Sequence, residues 1–450
     1  MFGRATKLCC LGVLALVTHA WPVRAQDSGA PAALHDPLAV LKDIPLDPSG
    51  WARLGLGGQL RWRVEDSRAN DFGFAKPVDN RPLLFRTLLS ADLKLGPSLR
   101  LYGETVSGFA PMWTGLTPGT QSDALDLLQG FAEATLPLTD GRLQVTAGRQ
   151  EMTYGSSRLV SLRDSPNVRR SFDGVRAAWI GSSDTRIDAF AVRPVVPQTG
   201  IFNDQSDPGQ RFWGLYGTTP IPLVPGLKGD LYYFGLDRDV AKFAQGTAPQ
   251  QTHTFGTRLF GKAGGLDWNL EGDVQVGSFG TSSVRAWMLA GDVGYTLDGL
   301  PFQPRIGVKA DAASGDGNPH DRTLGTFYPL YPKLPTFSEA NIVVPANLID
   351  VQPNVTLTLM PSLKASVGWN PFWKASQADA YYNAALLPVP GTAGGPGRYL
   401  GQQLVTTLLW QPARQVEVGF TYVPFRPGAR LKLAGGRDGS FAAGWISFTF

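Results

Sequence analysis

The 450-residue chain carries 41 Lys and Arg against 37 Asp and Glu, a formal net charge of +4 that would suit a nucleic-acid binder but says nothing about where the charge sits. Charged residues make up 17%, below the usual quarter of a soluble chain, while 53 glycines, 35 prolines and 11% aromatics make the sequence turn-rich and aromatic-rich. Arginine outnumbers lysine 29 to 12, a bias that suits planar recognition of carboxylate or phosphate better than a solubilising coat.

At the N-terminus, Arg4 and Lys7 precede an apolar stretch from Leu8 to Val17, and "WPVRAQ" offers a cleavage point after Ala25. This is the pattern of a secretory signal, and the apolar run is about half of the ~20 residues that a spanning helix needs. The expected organisation is a signal peptide over 1–25, a periplasmic segment over 26–50 and one domain over 51–450. Cys9 and Cys10 fall inside the signal, so the mature chain has no thiol for a disulfide, a zinc site or a nucleophile.

Beyond Ala25 no run of eighteen apolar residues occurs, which excludes helical membrane spans. Period-two alternation recurs instead. Leu56, Leu60, Trp62 and Val64 oppose Gln59, Arg61, Arg63 and Glu65. Phe85, Leu89 and Leu93 oppose Arg86, Ser90, Asp92 and Lys94. Leu266, Trp268, Leu270, Val274 and Val276 oppose Asp267, Asn269, Glu271, Asp273 and Gln275. About eighteen such segments of ~9 to 13 residues are expected, close to the length of a tilted strand crossing a bilayer. They begin near residues 54, 83, 98, 127, 142, 171, 185, 210, 227, 252, 265, 283, 302, 348, 362, 401, 414 and 440.

The connections alternate in length. Short turns stand at "LGPS", "PLTDG", "GSSD", "KAGG", "DGLPF", "MPSL" and "QPAR"; long segments run over Asp66–Arg81, Pro111–Asp126, Met152–Arg170, Ala312–Asn347 and Ala375–Leu400. A soluble sandwich also alternates, but its strands cluster near ~5 or 6 residues. The last residues, "FAAGWISFTF", put Ile446, Phe448 and Phe450 in phase, like the C-terminal assembly signal of outer-membrane proteins. The expected fold is all-β: a transmembrane antiparallel β-barrel of about 18 strands, with short periplasmic turns and long extracellular loops, in the bacterial outer membrane.

Several segments resemble the alginate export porin family. They are "LKDIPL", "LGLGGQLRWRVED", "GRQEMTYGSSRLVSLRDSPNVRRSFDGVR", "IGVKADAASGDG" followed by "LGTFYPLYP", "NLIDVQPNVTLTLMPSLKASVGWNPFWKAS" and "GQQLVTTLLWQPARQVEVGFTY". The resemblance runs in order through almost the whole mature chain. It implies an 18-stranded monomeric barrel whose arginine-lined pore passes an anionic uronate polymer without catalysis. The family's exporter has a long periplasmic plug between its sixteenth and seventeenth strands, where this chain has only "QPAR", Gln411–Arg414.

The segment Gly148–Arg176 holds six arginines against three acids. In a water-filled lumen each guanidinium stays hydrated while the low-dielectric wall focuses the positive field, and rings of Arg or Lys favour anions. The expected pore lining is therefore Arg158, Arg163, Arg169 and Arg170 on an inward loop, with Arg149 and Arg176 on the flanking strands. Strand parity adds Arg61, Arg63, Arg86, Arg100, Arg258, Arg305 and Lys309. Glu65, Asp92, Glu104, Glu151, Asp164, Asp173 and Asp311 are the expected pairing acids. Arg149 and Glu151 are in phase with Leu143, Val145 and Ala147, so a bulge near Gly148 is needed to turn them inward, or Arg149 sits above the apolar band. A surface loop binding lipopolysaccharide phosphates is the competing placement of this segment.

Tyr154, Trp213, Tyr232, Trp287, Tyr295, Trp369 and Trp410 are expected in interfacial girdles rather than in sugar contacts. "DAASGDGNPHD", Asp311–Asp321, looks like a calcium loop but lacks the EF-hand spacing and closing glutamate, so no metal ligands are assigned and no cofactor is expected. Only His35, His253 and His320 remain after the signal, none in a nucleophile setting, and no enzyme is expected. The expected function is an outer-membrane channel for anions: export of an alginate-type polysaccharide, or alternatively anion-selective uptake of small carboxylates. Expected partners are outer-membrane lipid and lipopolysaccharide, the transported anion and the barrel assembly machinery.

Overall fold

The computed structural model describes residues 38–222 and 224–450. The expected signal peptide and the start of the segment over 26–50 lie outside the described residues. Eighteen long strands follow one another: β1 (Ala52–Arg68), β2 (Leu83–Leu95), β3 (Leu99–Phe109), β4 (Asp123–Leu138), β5 (Gly141–Gln150), β6 (Phe172–Ile180), β7 (Arg186–Val196), β8 (Gln210–Pro220), β9 (Leu227–Phe243), β10 (Gly246–Ala263), β11 (Leu266–Phe279), β12 (Ser282–Thr296), β13 (Arg305–Ala313), β14 (Leu348–Met360), β15 (Leu363–Trp373), β16 (Tyr399–Ala413), β17 (Val416–Pro427) and β18 (Gly439–Thr449). Each pairs antiparallel with its sequence neighbours, and β18 returns to β1 in a register running from Gln59 opposite Thr449 to Arg68 opposite Ser440. The sheet is thus a closed barrel. Closure satisfies every strand edge, which hydrocarbon demands because water cannot hydrogen-bond a stray N–H or C=O there.

The barrel is apolar outside and polar inside. Leu231 is 73% exposed and Leu270 45%, whereas Arg86 is 1% and Glu271 7% exposed. A soluble fold would invert these values, so the outer face is built for lipid. Trp287, Tyr295, Trp369 and Trp410 all lie on that exposed face. Trp287 and Tyr295 are eight residues apart on β12, about 20 Å at ~3.4 Å per residue on a strand tilted by ~40°, a separation that fits girdles at the two interfaces. Trp213 shares the outer face, where its indole N–H donates to Tyr233 Oη at 3.2 Å. Tyr154 and Tyr232 do not belong to a girdle. Tyr154 stacks on Tyr216 at 4.7 Å and Tyr216 on Tyr232 at 5.3 Å, all three buried inside the barrel.

Closure is completed by the last residue. Phe450 N donates to Gly58 O at 3.0 Å and Gly58 N to Phe450 O at 3.1 Å. A Cβ on Gly58 would stand 2.5 Å from Leu88 O and 2.9 Å from the Phe450 ring, so the seam requires glycine there. Below it, Ile44 and Pro45 pair with Leu54 and Arg53 and cover the free edge of β1.

Short connections gather at the end where the chain enters β1, and long ones at the other, as an outer-membrane barrel requires. Two connections at the long-loop end are also tight, 244–245 and 280–281, because β9 to β12 are themselves extended hairpins. The segments 151–171, 314–347 and 374–398 fold back into the barrel. They contribute Met152, Leu159, Phe327, Tyr331, Ile342 and Tyr381 to buried apolar clusters packed against inward residues of the wall such as Phe212 and Phe372. A lumen hydrated along its whole length is therefore not what the chain builds; much of it is packed. Of the Asp311–Asp321 stretch, Asp311 to Ala313 end β13, and side-chain-capped turns follow, with Asn318 N donating to Asp316 Oδ1 at 3.2 Å and Thr323 N to Asp321 Oδ1 at 2.7 Å.

Candidate channel constriction

The segment after β5 turns into the lumen and crosses it. Residues 157–161 run beside 331–333: Tyr331 N donates to Leu159 O at 2.8 Å, Ser161 N to Tyr331 O at 3.0 Å and Lys333 N to Ser157 O at 2.9 Å. This gives the inward loop a regular partner that sequence periodicity could not reveal. At its far side Arg61 donates to the carbonyls of Asp164, Ser165 and Pro166 at 2.8 to 3.0 Å. Arg86 donates to Gln59, to Asp164 O at 3.0 Å and to Asp164 Oδ1 at 2.8 Å. Both guanidiniums are almost wholly buried. Expected as hydrated lining, they serve instead as anchors that hold the loop across the barrel, since a guanidinium offers five donors to orphan carbonyls.

The remaining expected residues divide by partner. Arg63 pairs with Glu65 at 2.6 Å and with Glu339 at 2.8 Å. Arg100 pairs with Asp92 at 2.7 Å and lies over Tyr102. Arg258 pairs with Asp230 at 2.8 Å, and Arg305 with Asp267 and Asp292 at 2.5 and 2.8 Å. Arg158 reaches Glu271 at 2.8 Å and Asp311 at 3.7 Å on the wall opposite β1. Arg169 binds Asp164 at 2.5 Å and Glu151 at 3.7 Å. Glu104 accepts from Gln129 Nε2 at 2.7 Å rather than from an arginine.

Arg149 is a correction. The β5–β6 register passes through Gly148 opposite Gly174 and Arg149 opposite Asp173 with no bulge, so Arg149 stays on the outward face. There it binds Asp173 at 2.8 and 3.0 Å near the extracellular end, covered by segment 197–209 through Asp204 O at 3.2 Å. Arg149 and Asp173 do not line the lumen.

Arg163, Arg170 and Arg176 form no ion pair within 4 Å among the described residues, and neither does Lys333. Arg176 points inward opposite Thr146 and Phe190. Arg170 lies 5.2 Å over the Tyr331 ring and donates to Pro332 O at 3.4 Å, beside Lys333. Burial, reinforced by Arg163, pushes the Arg170 guanidinium down to about 9, and burial likewise lowers Arg163. Burial, together with the charges of Lys309 and Arg158, brings the Lys333 ammonium down to about 7. Burial raises the Glu151 carboxyl to about 7, with Arg169 opposing and Glu104 adding to the rise. Lys333 and Glu339 were not expected from sequence: both lie in a long loop without periodicity, and only the neighbouring "LGTFYPLYP" marked the region.

The lumen therefore holds an ion-paired scaffold and a smaller group of cations without carboxylate partners. The sequence signature of alginate export proteins matches residues 52–444. The chain belongs to the alginate export family. Comparison with curated proteins finds no match. Among solved structures, the chain is similar to Pseudomonas aeruginosa OccK8 (OprE), with 12% identity and a TM-score of 0.59 over 88% of this chain and 98% of that one. It is also similar to the outer membrane protein OpdK of that organism, with 11% identity and a TM-score of 0.60 over 88% and 98%. OccK5 (OpdH), again from P. aeruginosa, gives 13%, 0.56, 89% and 98%. At these identities the likeness concerns the fold. This member of the alginate export family is a porin-like barrel of the bacterial outer membrane.

Proposed function

We propose that the protein is a non-catalytic, anion-selective channel for carboxylate-bearing solutes, and that Arg163, Arg170 and Lys333 are the groups the solute meets at the narrowest point. The observation that carries this reading is their lack of carboxylate partners in a lumen where most other arginines are neutralised. One carboxylate ~4 Å from a guanidinium gains about 4 kcal/mol at an effective dielectric constant near 20, and several weak sites in series allow release as well as capture. The acid-paired residues, Arg100, Arg258 and Arg305 among them, shape the wall and add little net field. The barrel works as a monomer inserted by the assembly machinery after removal of residues 1–25.

Small or oligomeric carboxylates fit this geometry best. The inward loop is fixed at both walls, and the link between β16 and β17 is a two-residue turn, 414–415, with no room for a periplasmic plug. A structure of the similar OpdK was solved with vanillate, an aromatic carboxylate. Export of an alginate-type polymer is the second reading, favoured by membership of the family. Planar-bilayer recordings separate the two. Passage of glucuronate and benzoate, judged by reversal potential in their potassium salts, with no block by polymannuronate, supports the first. Voltage-dependent block by polymannuronate added on the short-turn side supports the second. Preference for potassium over every anion contradicts both.

A further inference from the structure

At the long-loop end, three carboxylates converge where the segment 197–209 folds onto the start of β4. Oxygens of Asp123, Asp126 and Asp204 all lie within 4.8 Å of one another. Asp123 is 0% exposed, and neither of its carboxylate oxygens has a hydrogen-bond partner. The Leu125 N–H on the same stretch is committed to Gly200 O at 3.3 Å. A buried carboxylate without donors is costly, and two further carboxylates beside it raise that cost.

We propose that Asp123, Asp126 and Asp204 form a calcium site that fastens segment 197–209 to the extracellular end of β4. The backbone geometry is already that of a closed clasp. Ala124 N donates to Gly200 O at 3.1 Å and Phe202 N to Leu125 O at 2.9 Å. Asp126 Oδ2 accepts from Asn203 N at 2.7 Å and Asp204 N at 3.1 Å, which aligns the loop carboxylate with the strand. The cation adjoining this cluster is Arg149, whose Nη1 stands 3.9 Å from Asp126 Oδ1. Its other donors are spent on both Asp173 oxygens, Leu127 O and Asp204 O. One shared guanidinium against three carboxylates leaves the cluster negative.

The donor set consists only of oxygens, with no histidine or cysteine, and therefore calls for a hard cation. Asn203 Oδ1 in the same loop is also buried without a partner and adds a neutral oxygen. An irregular arrangement drawn from a strand end and a loop suits the flexible coordination of calcium better than the octahedron of magnesium, and extracellular sites of this kind bind at about 10⁻⁴ to 10⁻³ M.

The test is calorimetric titration of the purified, lipopolysaccharide-free barrel with calcium chloride, repeated with magnesium chloride and with Asp123→Asn and Asp204→Asn. Heat-shifted gel migration confirms that each variant is folded. The expected result is one calcium per chain, weaker by about tenfold or more for magnesium and for each variant. Chymotryptic cleavage at the exposed Phe202 should slow in calcium and quicken in EDTA for the parent protein, and remain unchanged in Asp123→Asn. The absence of calcium binding, equal or tighter magnesium binding, or undiminished calcium binding in folded Asp123→Asn overturns the proposal.

Discussion

Arg86 Nη2 lies 2.8 Å from Asp164 Oδ1, an ion pair between β2 and a loop residue 78 positions later. Together with the bonds from Arg61 to the neighbouring carbonyls, it holds the inward loop against the wall that faces Glu271 and Asp311. This loop is fastened across the lumen at both sides, by Arg61 and Arg86 on one and by Arg158 on the other.

Replacing Arg86 by methionine should free the loop without opening the barrel. The change leaves the carbonyls of 164 and 166 with Arg61 as their remaining guanidinium donor and Asp164 with one cation fewer, a cost of about 1–3 kcal/mol because the Asp164 side chain is half-exposed. The expected outcome is retained heat-shifted migration with higher single-channel conductance and noisier open current. Conductance identical to the parent would show that the loop is not held by this contact.

Charge selectivity should depend on pH in one direction. Lys333 has its pKa brought down to about 7 and Glu151 has its raised to about 7, from ordinary values near 10.5 and 4.5. As pH falls from about 8 to about 6, Lys333 takes up a proton and becomes positive while Glu151 takes up a proton and loses its negative charge. Both changes make the constriction more positive, so anion over cation permeability should rise. In the double variant Lys333→Met, Glu151→Gln the dependence should flatten. A rise in cation preference on acidification would contradict the assignment.

The seam offers a test of closure. Gly58→Val places side-chain atoms where Leu88 O and the Phe450 ring already stand, so the β1–β18 pairing must shift or fail. The expected readout is loss of the heat-shifted band and of bilayer insertion. Gly103→Val, at a position where an added Cβ meets nothing within 4 Å, should retain both.

The barrel was legible because its alternation is a local property. Leu270 against Glu271, repeated through eighteen strands, announces an apolar exterior without knowledge of any contact. The inward loop was legible only in part. Its arginine density was visible, but whether Arg86 would be hydrated or would grip Asp164 depends on where a segment 78 residues away comes to rest. Arg149 is the opposite case. Its outward phase is written in Leu143, Val145 and Ala147, and the observed register simply keeps that phase. Lys333 was missed because its loop has no periodicity, and Tyr154 and Tyr232 because an aromatic residue in a strand or beside it reads alike in a girdle and in a stacked internal cluster.

On the proposed reading, the net field at the constriction is positive because Arg163, Arg170 and Lys333 form no ion pair within 4 Å among the described residues. The most direct measurement is the reversal potential of the purified barrel in a planar bilayer under a steep potassium chloride gradient, compared with Arg163→Gln, Arg170→Gln, Lys333→Gln in combination. The parent should give the sign of a chloride-preferring channel, and the triple variant a potential close to zero. A cation-preferring parent, or a folded triple variant with the parent's potential, would contradict it.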